Sequence, residues 1–237
     1  QSFRKQLVKF NSTQEALNNN KIKFTSILEN DYPELLSRIA DPPLALFHRG
    51  NPEMLKSKKK VSIVGTRNPT KIYSQLCSSL AQGLVRQGFT IVSGLAVGID
   101  KCAHESAIQH EQGSIAVMPG AVDDITPKAN TEIYNSILRF GGAIVSEFLP
   151  GTEIKPGLFP RRNRIIAGLT GYTVVIEGQQ KSGALITAKL AFDYGRSVYT
   201  FPHPVGYKDS GNNYLIKKNI AQMIESLEDL IQFMGHE

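Results

Sequence analysis

The sequence predicts a doubly wound α/β fold with a mostly parallel sheet. Two observations lead to this prediction. From Val61 onward, short runs of apolar and β-branched residues recur along the chain, the first of them ending at a glycine and a turn. Between these runs lie segments with apolar residues at helical spacing. Because the strands are apolar almost throughout, they are typical of a parallel sheet that helices cover on both faces.

The predicted strands and helices alternate in a regular order. In chain order, the predicted strands are VSIVG (61–65), FTIVSG (89–94), SIAVMPG (114–120), GAIVSE (142–147), YTVVIE (172–177) and SVYTFP (197–202). Four helices are predicted between these strands. The first carries apolar residues at helical spacing (Tyr73, Leu76, Leu80 and Leu84), the second begins at about Ile99, and the other two cover TEIYNSILRF and ALITAKLAFDYG. The tail, NNYLIKKNIAQMIESLEDLIQFM, predicts a short helix, a last short strand and a closing helix.

The segment before the first predicted strand suggests two parts to the chain. Residues 1–30 are polar and rich in asparagine, and we interpret them as a peripheral segment or the remnant of an upstream domain junction. Residues 31–237 then form the α/β domain, which opens with an extended, proline-punctuated lead-in to the core. The run KSKKK (56–60) is expected to be a solvated approach to the first strand.

The composition favours an anionic partner. The chain has 237 residues and a net charge of +6, from 27 Lys and Arg against 21 Asp and Glu, an excess that fits nucleic acid among other anions. No stretch approaches the ~18 apolar residues of a membrane span, and the first residues lack a signal-peptide pattern. Cys77 and Cys102 have neither CxxC nor metal-ligand spacing, so we expect reduced thiols, a cytoplasmic protein, and neither metal nor cofactor.

Glycine-rich turns and cations follow three of the predicted strands, at the sheet edge where doubly wound folds bind ligands. They comprise Gly65 and Arg67 after the first strand, Ser93, Gly94 and Gly98 after the second, and Lys181, Ser182 and Gly183 after the fifth. Exposed backbone N–H groups and helix N-termini at such an edge attract anions. We therefore predict an anion-binding crest, meaning this edge of the sheet with its glycines and cations.

Motifs of nucleotide enzymes are missing from this crest. VGTRNP does not match GxGxxG, no GxxxxGK[ST] or GxSxG occurs, and the second strand ends without an acid for a ribose. These absences argue against a dinucleotide oxidoreductase. His104 lies on an amphipathic helix and is interpreted as structural, while Asp123 and Asp124 are interpreted as solvated loop residues. We assign no catalytic residue.

The stretch FPRRNRIIAGL (159–169) sets three arginines at the entrance of an apolar helix. The helix dipole disfavours cations at that end, and a bound anion would offset the penalty. Phe159 offers a flat face on which a base can stack. This combination predicts a site for single-stranded nucleic acid, the alternative being that Phe159 only caps the core.

At these positions the sequence resembles the DNA-processing protein A family (DprA/Smf). The resemblance rests on GTRNPT, IVSGLAVGIDKCAHESA, SEFLPGTEIKPGLFPRRNRIIAGL, KSGALITAKLAFDYGRSVYTFP and GNNYLI, in the expected order over roughly residues 30 to 230. It implies an extended Rossmann-like core that homodimerises, binds single-stranded DNA and loads a RecA-type recombinase onto it during natural transformation. It implies no catalytic activity.

The resemblance also implies roles for individual residues. Arg67 would contact a phosphate in a pocket that Gly65, Thr66, Ser93 and Gly94 line, and Phe159 would meet a base. Arg162, Asn163 and Arg164 would shape the floor, with Lys181, Ser182 and Gly183 on the far side and Lys155 as the basic residue ahead of Phe159. The chain departs from the family pattern at Thr126, where Tyr is usual, at Asn219, where Gly is usual, and at Lys181, where Arg is common.

Two other functions stay open from sequence. The first is a lysine-decarboxylase-like enzyme that cleaves the base from a nucleoside monophosphate. Such enzymes carry PGGxGTxxE, whereas this chain reads MPGAVDDIT, without the glycine run and the glutamate. The second is a nucleotide-sensing or scaffold domain that binds a small anion at the crest, although the cluster of Phe159 and arginines fits a polymer better.

Overall fold

The computed structural model describes Leu17 and residues 21–235. The strands are β1 (Lys23–Ser26), β2 (Ala45–Gly50), β3 (Lys60–Val64), β4 (Thr90–Ser93), β5 (Ile115–Val117), β6 (Ala143–Ser146), β7 (Tyr172–Val175), β8 (Ser197–Thr200) and β9 (Gln222–Met223). The α-helices are α1 (Glu34–Ser37), α2 (Glu53–Lys56), α3 (Lys71–Arg86), α4 (Ile99–Ile108), α5 (Thr131–Arg139), α6 (Leu158–Gly168), α7 (Gly183–Asp193), α8 (Gly211–Lys217) and α9 (Leu227–Met234).

The strands of the described residues form one nine-stranded sheet in the order β1-β2-β6-β5-β4-β3-β7-β8-β9. From β6 to β9 all neighbours are parallel, while β1 and β2 join antiparallel beside β6. The chain moves outward from β3 to β6 and then returns to the other side of β3 as β7. The strand order therefore reverses between β3 and β7, and a reversal of this kind opens a crevice at the C-terminal ends of the strands. The predicted doubly wound, mostly parallel fold is confirmed.

Helices cover both faces of the sheet, as the apolar strands require. One face packs against α6, α7 and α8, whose buried residues include Ile165, Leu185 and Leu215. The other face packs against α3, α4 and α9, with Leu80 and Ile99 fully or almost fully buried. The predicted short helix, last strand and closing helix of the tail are confirmed as α8, β9 and α9.

The sheet begins earlier than the sequence indicated. β1 starts at Lys23, ahead of the expected boundary near residue 31, and β2 occupies part of the segment interpreted as an extended lead-in. Phe47 of β2 and Ile22 belong to a core cluster with residues of α5. The first sixteen residues of the predicted peripheral segment and residues 18–20 lie outside the described part of the chain.

Lys60 corrects the expectation of a wholly solvated lysine run. It is the first residue of β3, only 5% exposed, and its Nζ donates a hydrogen bond to the carbonyl oxygen of Leu55. Burial lowers the pKa of Lys60 to about 8. The neighbouring Lys58 and Lys59 are exposed, as predicted.

Two other interpretations concern single side chains inside the core. His104 is fully buried in α4 and shares a hydrogen bond with Ser114 Oγ, 2.9 Å from its Nδ1. Burial lowers the pKa of His104 to about 3, so the ring is a neutral packing group, which agrees with the structural interpretation. Cys77 and Cys102 are both free thiols.

None of the helices in the described part of the chain combines the length and the apolar character of a membrane span.

Candidate nucleic-acid interface

A cavity of about 640 Å³ opens at the C-terminal end of β3, next to the switch point of the sheet. Its walls come from the end of β3 and from the N-terminal halves of α4, α6 and α7. The lining residues are Val64, Gly65, Thr66, Arg67, Ala96, Asp100, Pro156, Phe159, Pro160, Arg162, Asn163, Ile166, Ser182, Gly183, Ala184, Ile186 and Thr187. The cavity thus joins the turn after β3 with the FPRRNRIIAGL segment, which the sequence places far apart.

Arg67 and Phe159 face each other at this cavity. Arg67 is exposed, and its Cζ lies 5.9 Å from the centroid of the Phe159 ring. At this distance a guanidinium interacts favourably with the face of an aromatic ring. Phe159 itself is half-buried, so part of the ring stays accessible. The pair presents a cation and a flat apolar face side by side.

Three glycines allow the backbone and side chains to approach closely around the cavity. A Cβ on Gly65 would lie 2.5 Å from Ile99, and one on Gly94 would lie 2.6 Å from the guanidinium of Arg162. Gly98 adopts φ +83°, and a Cβ there would lie 2.4 Å from the carbonyl oxygen of Thr66. These glycines are therefore required for packing of the crest, whatever binds to it.

Arg162 is a buried part of the cavity wall and not an exposed anion-binding group. It is 6% exposed, and its Nη1 donates hydrogen bonds to the carbonyl oxygens of Gly94, at 2.5 Å, and Val117. Asp100, which accepts a hydrogen bond from the Gly94 backbone N–H at 3.1 Å, lies close enough to interact with it electrostatically. Burial lowers the pKa of Arg162 to about 10, Asp100 opposes this, and Arg67 adds to it. Burial likewise raises the pKa of Asp100, and Arg162 opposes that shift.

Arg161 and Arg164 are neutralised on the far side of α6, outside the residues that line the cavity. Arg164 is almost buried and pairs with Glu147 and with Asp41, whose Oδ2 lies 3.3 Å from its Nε. Arg161 Nε lies 3.0 Å from the same Glu147 carboxylate. The expected need for a bound anion at this helix is therefore wrong, because Glu147 supplies the opposing charge from within the chain.

The position of the arginines within the helix also differs from the expectation. α6 begins at Leu158, so Arg161 closes its first turn and Arg162 and Arg164 lie in the second. Pro160 is tolerated in that first turn because the backbone N–H groups there have no helical acceptor.

The other predicted site residues divide into two groups. Asn163, Ser182 and Gly183 line the cavity with Gly65 and Thr66, and Asn163 Nδ2 donates to the carbonyl oxygen of Gly183 at 3.2 Å. The Ser182 hydroxyl is buried and has no hydrogen-bond partner among the described residues, although it caps α7 by position.

The second group lies outside the cavity lining. Ser93 is fully buried and its Oγ donates to the carbonyl oxygen of Ile63 at 2.7 Å, so it ties β4 to β3. Gly94 lies behind Arg162. Lys155 and Lys181 are exposed, and Lys155 Nζ lies 3.5 Å from Glu153.

Sequence reasoning missed Asp100 and the apolar wall. Asp100 stands in the first turn of α4, directly after the Gly98 turn, where an acid is favoured by the helix dipole. That position is a usable signal. Ala96, in the turn before α4, and Ile166 and Ile186, on α6 and α7, carry no such signal, because apolar residues are common throughout the sequence.

Known proteins resemble this chain over most of its length. The model of the DNA recombination-mediator protein A family matches residues 23–235. The chain belongs to this family. The Smf protein of Synechocystis sp. is 40% identical over 208 residues, which cover 86% of this chain and 52% of that protein. The chain thus spans about half the length of this relative.

Solved structures of family members share the fold. The X-ray structure of DNA processing protein A from Streptococcus pneumoniae has a TM-score of 0.83 and 36% identity, over 92% of this chain and 77% of that one. The protein from Helicobacter pylori has a TM-score of 0.81 and 31% identity, over 90% of this chain and 96% of that one. The Helicobacter structure is described for its single-stranded DNA binding mode.

Proposed function

We propose that this chain binds single-stranded DNA at the cavity beside Arg67 and Phe159 and serves DNA processing. The observation that carries the proposal is the pairing of an exposed guanidinium with an accessible ring at the mouth of one cavity. A cation that tracks the phosphates and an aromatic face that stacks a base are the two elements of single-strand recognition. Family membership and the binding mode of the Helicobacter relative support the same assignment.

Each wall of the cavity has a part in this proposal. Arg67 contacts a backbone phosphate, and the first turn of α7, which has no side-chain cap, offers its backbone N–H groups to a second one. Phe159 stacks a base against a wall that includes Ala96, Ile166 and Ile186. Arg162 contributes structure more than contact, since two backbone carbonyls already occupy its Nη1.

The assignment is to a binding protein and not to an enzyme. Asp100, the acid at the cavity, is engaged by the Gly94 N–H and the neighbouring Arg162, so it organises the loop before α4. We further propose, from the family resemblance, that the chain acts as a homodimer and loads a RecA-type recombinase onto single strands during natural transformation.

Fluorescence anisotropy with labelled oligo-dT and with a duplex of equal length tests the binding proposal. We expect the single strand to bind more tightly, with a log–log salt slope of about −0.7 per neutralised phosphate. Equal affinity for the duplex would contradict a preference for single strands, and an affinity that does not change with salt would contradict the phosphate contacts.

Two further assays test recombinase loading and the assignment to a binding protein. Recombinase loading predicts that the chain shortens the lag of RecA-type filament assembly on DNA covered by single-strand binding protein; an unchanged lag would contradict it. Incubation with nucleoside monophosphates should release no free base. Release that disappears in Asp100→Asn would instead identify a base-cleaving enzyme.

A further inference from the structure

Glu177 lies directly beyond β7 and holds both ends of the turn that carries Arg67. This turn, residues 66–70, links β3 to α3. The backbone carbonyl oxygen of Glu177 accepts a hydrogen bond from Thr66 N at 2.6 Å, and its Oε2 accepts one from Thr70 N at 2.8 Å. Glu177 is only 2% exposed, so the acceptor of both bonds is a buried residue.

The second carboxylate oxygen of Glu177 connects this turn to the segment 203–210. Oε1 accepts a hydrogen bond from the hydroxyl of Tyr207. The Tyr207 ring lies 4.0 Å from the ring of His203, centroid to centroid, and His203 meets the Tyr73 ring edge-on at 4.9 Å. Tyr73 belongs to the first turn of α3, so these three rings connect Tyr207 to the helix that follows the turn 66–70.

The hydrogen bonds of Glu177 account for its burial without an ion pair. Its carboxylate accepts from one backbone N–H and one phenol, and it is absent from the salt bridges within 4.0 Å between described residues. A buried acceptor with this geometry restrains the groups that donate to it. By contrast the guanidinium of Arg67 is exposed and contacts the Phe159 ring. The direction in which Arg67 leaves the backbone therefore depends on the anchored ends of its turn.

We infer that Glu177 is the positioning residue for Arg67 and that the hydrogen bond from Tyr207 fixes the carboxylate of Glu177. The inference rests on the proposed single-stranded DNA binding. Glu177 touches no DNA in this scheme. It holds the turn 66–70 so that the Arg67 side chain stands beside Phe159, and thereby sets how strongly one phosphate is held.

A binding cycle built from substitutions at Glu177, Arg67 and Lys181 tests this inference. Glu177→Ala removes the carboxylate, and we expect oligo-dT affinity about tenfold lower, the loss of one charge-assisted contact. Glu177→Gln is the conservative rescue: its amide oxygen accepts from Thr70 N and its amide nitrogen donates to the Tyr207 oxygen, so affinity should return to near the wild-type value. In an Arg67→Ala background, Glu177→Ala should have no further effect. In a Lys181→Ala background it should keep its full effect.

Tyr207→Phe covers the case in which Glu177→Ala does not fold. It removes one hydroxyl, and we expect a smaller loss of affinity that again vanishes in the Arg67→Ala background. Hydrogen exchange of the Thr70 amide in the free protein should quicken in Glu177→Ala and stay unchanged in Glu177→Gln, whereas the Thr66 amide, which donates to the Glu177 backbone carbonyl, serves as the internal control in both variants. A purely stabilising role would lower the melting temperature without this dependence on Arg67.

The outcomes separate the two proposals. If the wild type binds oligo-dT and Arg67→Ala weakens it, but folded Glu177→Ala and Tyr207→Phe bind like the wild type, the inference is overturned and the DNA site stands. Equal losses from Glu177→Ala with and without Arg67 would also overturn it. If the wild type itself does not bind oligo-dT, both proposals are overturned.

Discussion

The arginines of α6 and the arginine of the crest have opposite surroundings. Arg162 and Arg164 are each 6% exposed and find carbonyl or carboxylate partners inside the chain. Arg67 is exposed, and its guanidinium lies over the face of the Phe159 ring. A dense run of arginines in the sequence thus marks the structural region, while a single arginine in a turn marks the candidate binding region.

The difference follows from what each guanidinium has lost on folding. A buried charge must be compensated within the protein, because removal from water costs several kcal/mol, roughly, for each ion. Arg162 and Arg164 meet that requirement through Gly94, Val117 and Glu147. An exposed cation keeps its hydration and can exchange it for a phosphate. Stability therefore depends on the buried arginines of α6 and affinity on Arg67 and the accessible face of Phe159, and the following substitutions test that division.

Arg162→Ala should have the largest effect, and on stability. The change leaves the Asp100 carboxylate buried beside an empty space and frees the carbonyl oxygens of Gly94 and Val117. Each buried carbonyl oxygen left without its donor costs about 1–3 kcal/mol, measurable as a lower free energy of unfolding in urea. Arg161→Ala is the matched control, because its side chain is 53% exposed and surface ion pairs contribute about 0–1 kcal/mol. Equal losses in the two variants would contradict the division.

Gly94→Ala should have the next largest effect. The new Cβ would lie 2.6 Å from the guanidinium of Arg162, which is fixed by its own hydrogen bonds. Overpacking of this kind costs about 1–3 kcal/mol in unfolding free energy. At Gly183 the nearest heavy atom would be Asn163 Nδ2 at 3.7 Å, an ordinary contact. Gly183→Ala should therefore leave the urea midpoint unchanged or raise it. A lower midpoint for Gly183→Ala than for Gly94→Ala would show that the crest is packed differently.

The parallel part of the sheet was predictable because each strand is a continuous apolar run. VSIVG and YTVVIE are buried on both faces, and most of their residues are apolar or β-branched. β2 was missed because ALFHRG mixes polar and apolar residues and is flanked by Pro42, Pro43 and Pro52. Antiparallel strands at the end of such a sheet have no comparable signature.

The site was predictable where a turn carries its own chemistry and not where partners are distant. Gly65 and Arg67 follow a strand directly, so their place at the crest could be expected from the fold. The partner of Arg164 could not, because Glu147 follows a different strand and nothing in FPRRNRIIAGL indicates it. Lys60 shows the same limit, since a lysine run gives no sign that its last member is buried.

Phe159→Ala tests the apolar half of the crest. If a base stacks on the ring, the binding free energy should fall by about 1–3 kcal/mol, measured by anisotropy with oligo-dT. Phe159 is half-buried, so the urea midpoint serves as the control for packing. Phe159→Tyr keeps the aromatic face and should bind like the wild type. A stability loss without any change in affinity would return Phe159 to the core.

Arg67→Ala should weaken binding at least as much as the tenfold loss expected for Glu177→Ala, about 1.4 kcal/mol, and its most specific effect should be on the salt dependence of binding. Loss of one phosphate contact reduces the magnitude of the log–log salt slope by about 0.7, and affinity should fall equally for oligo-dT and mixed-sequence strands because phosphate contacts carry no base information. Arg67→Lys keeps the charge and therefore the slope, while it loses the planar group that lies over Phe159. Arg161→Ala removes a guanidinium that Glu147 already neutralises, and its slope should equal that of the wild type. A reduced slope in Arg161→Ala together with an unchanged one in Arg67→Ala would reverse the roles of the two regions.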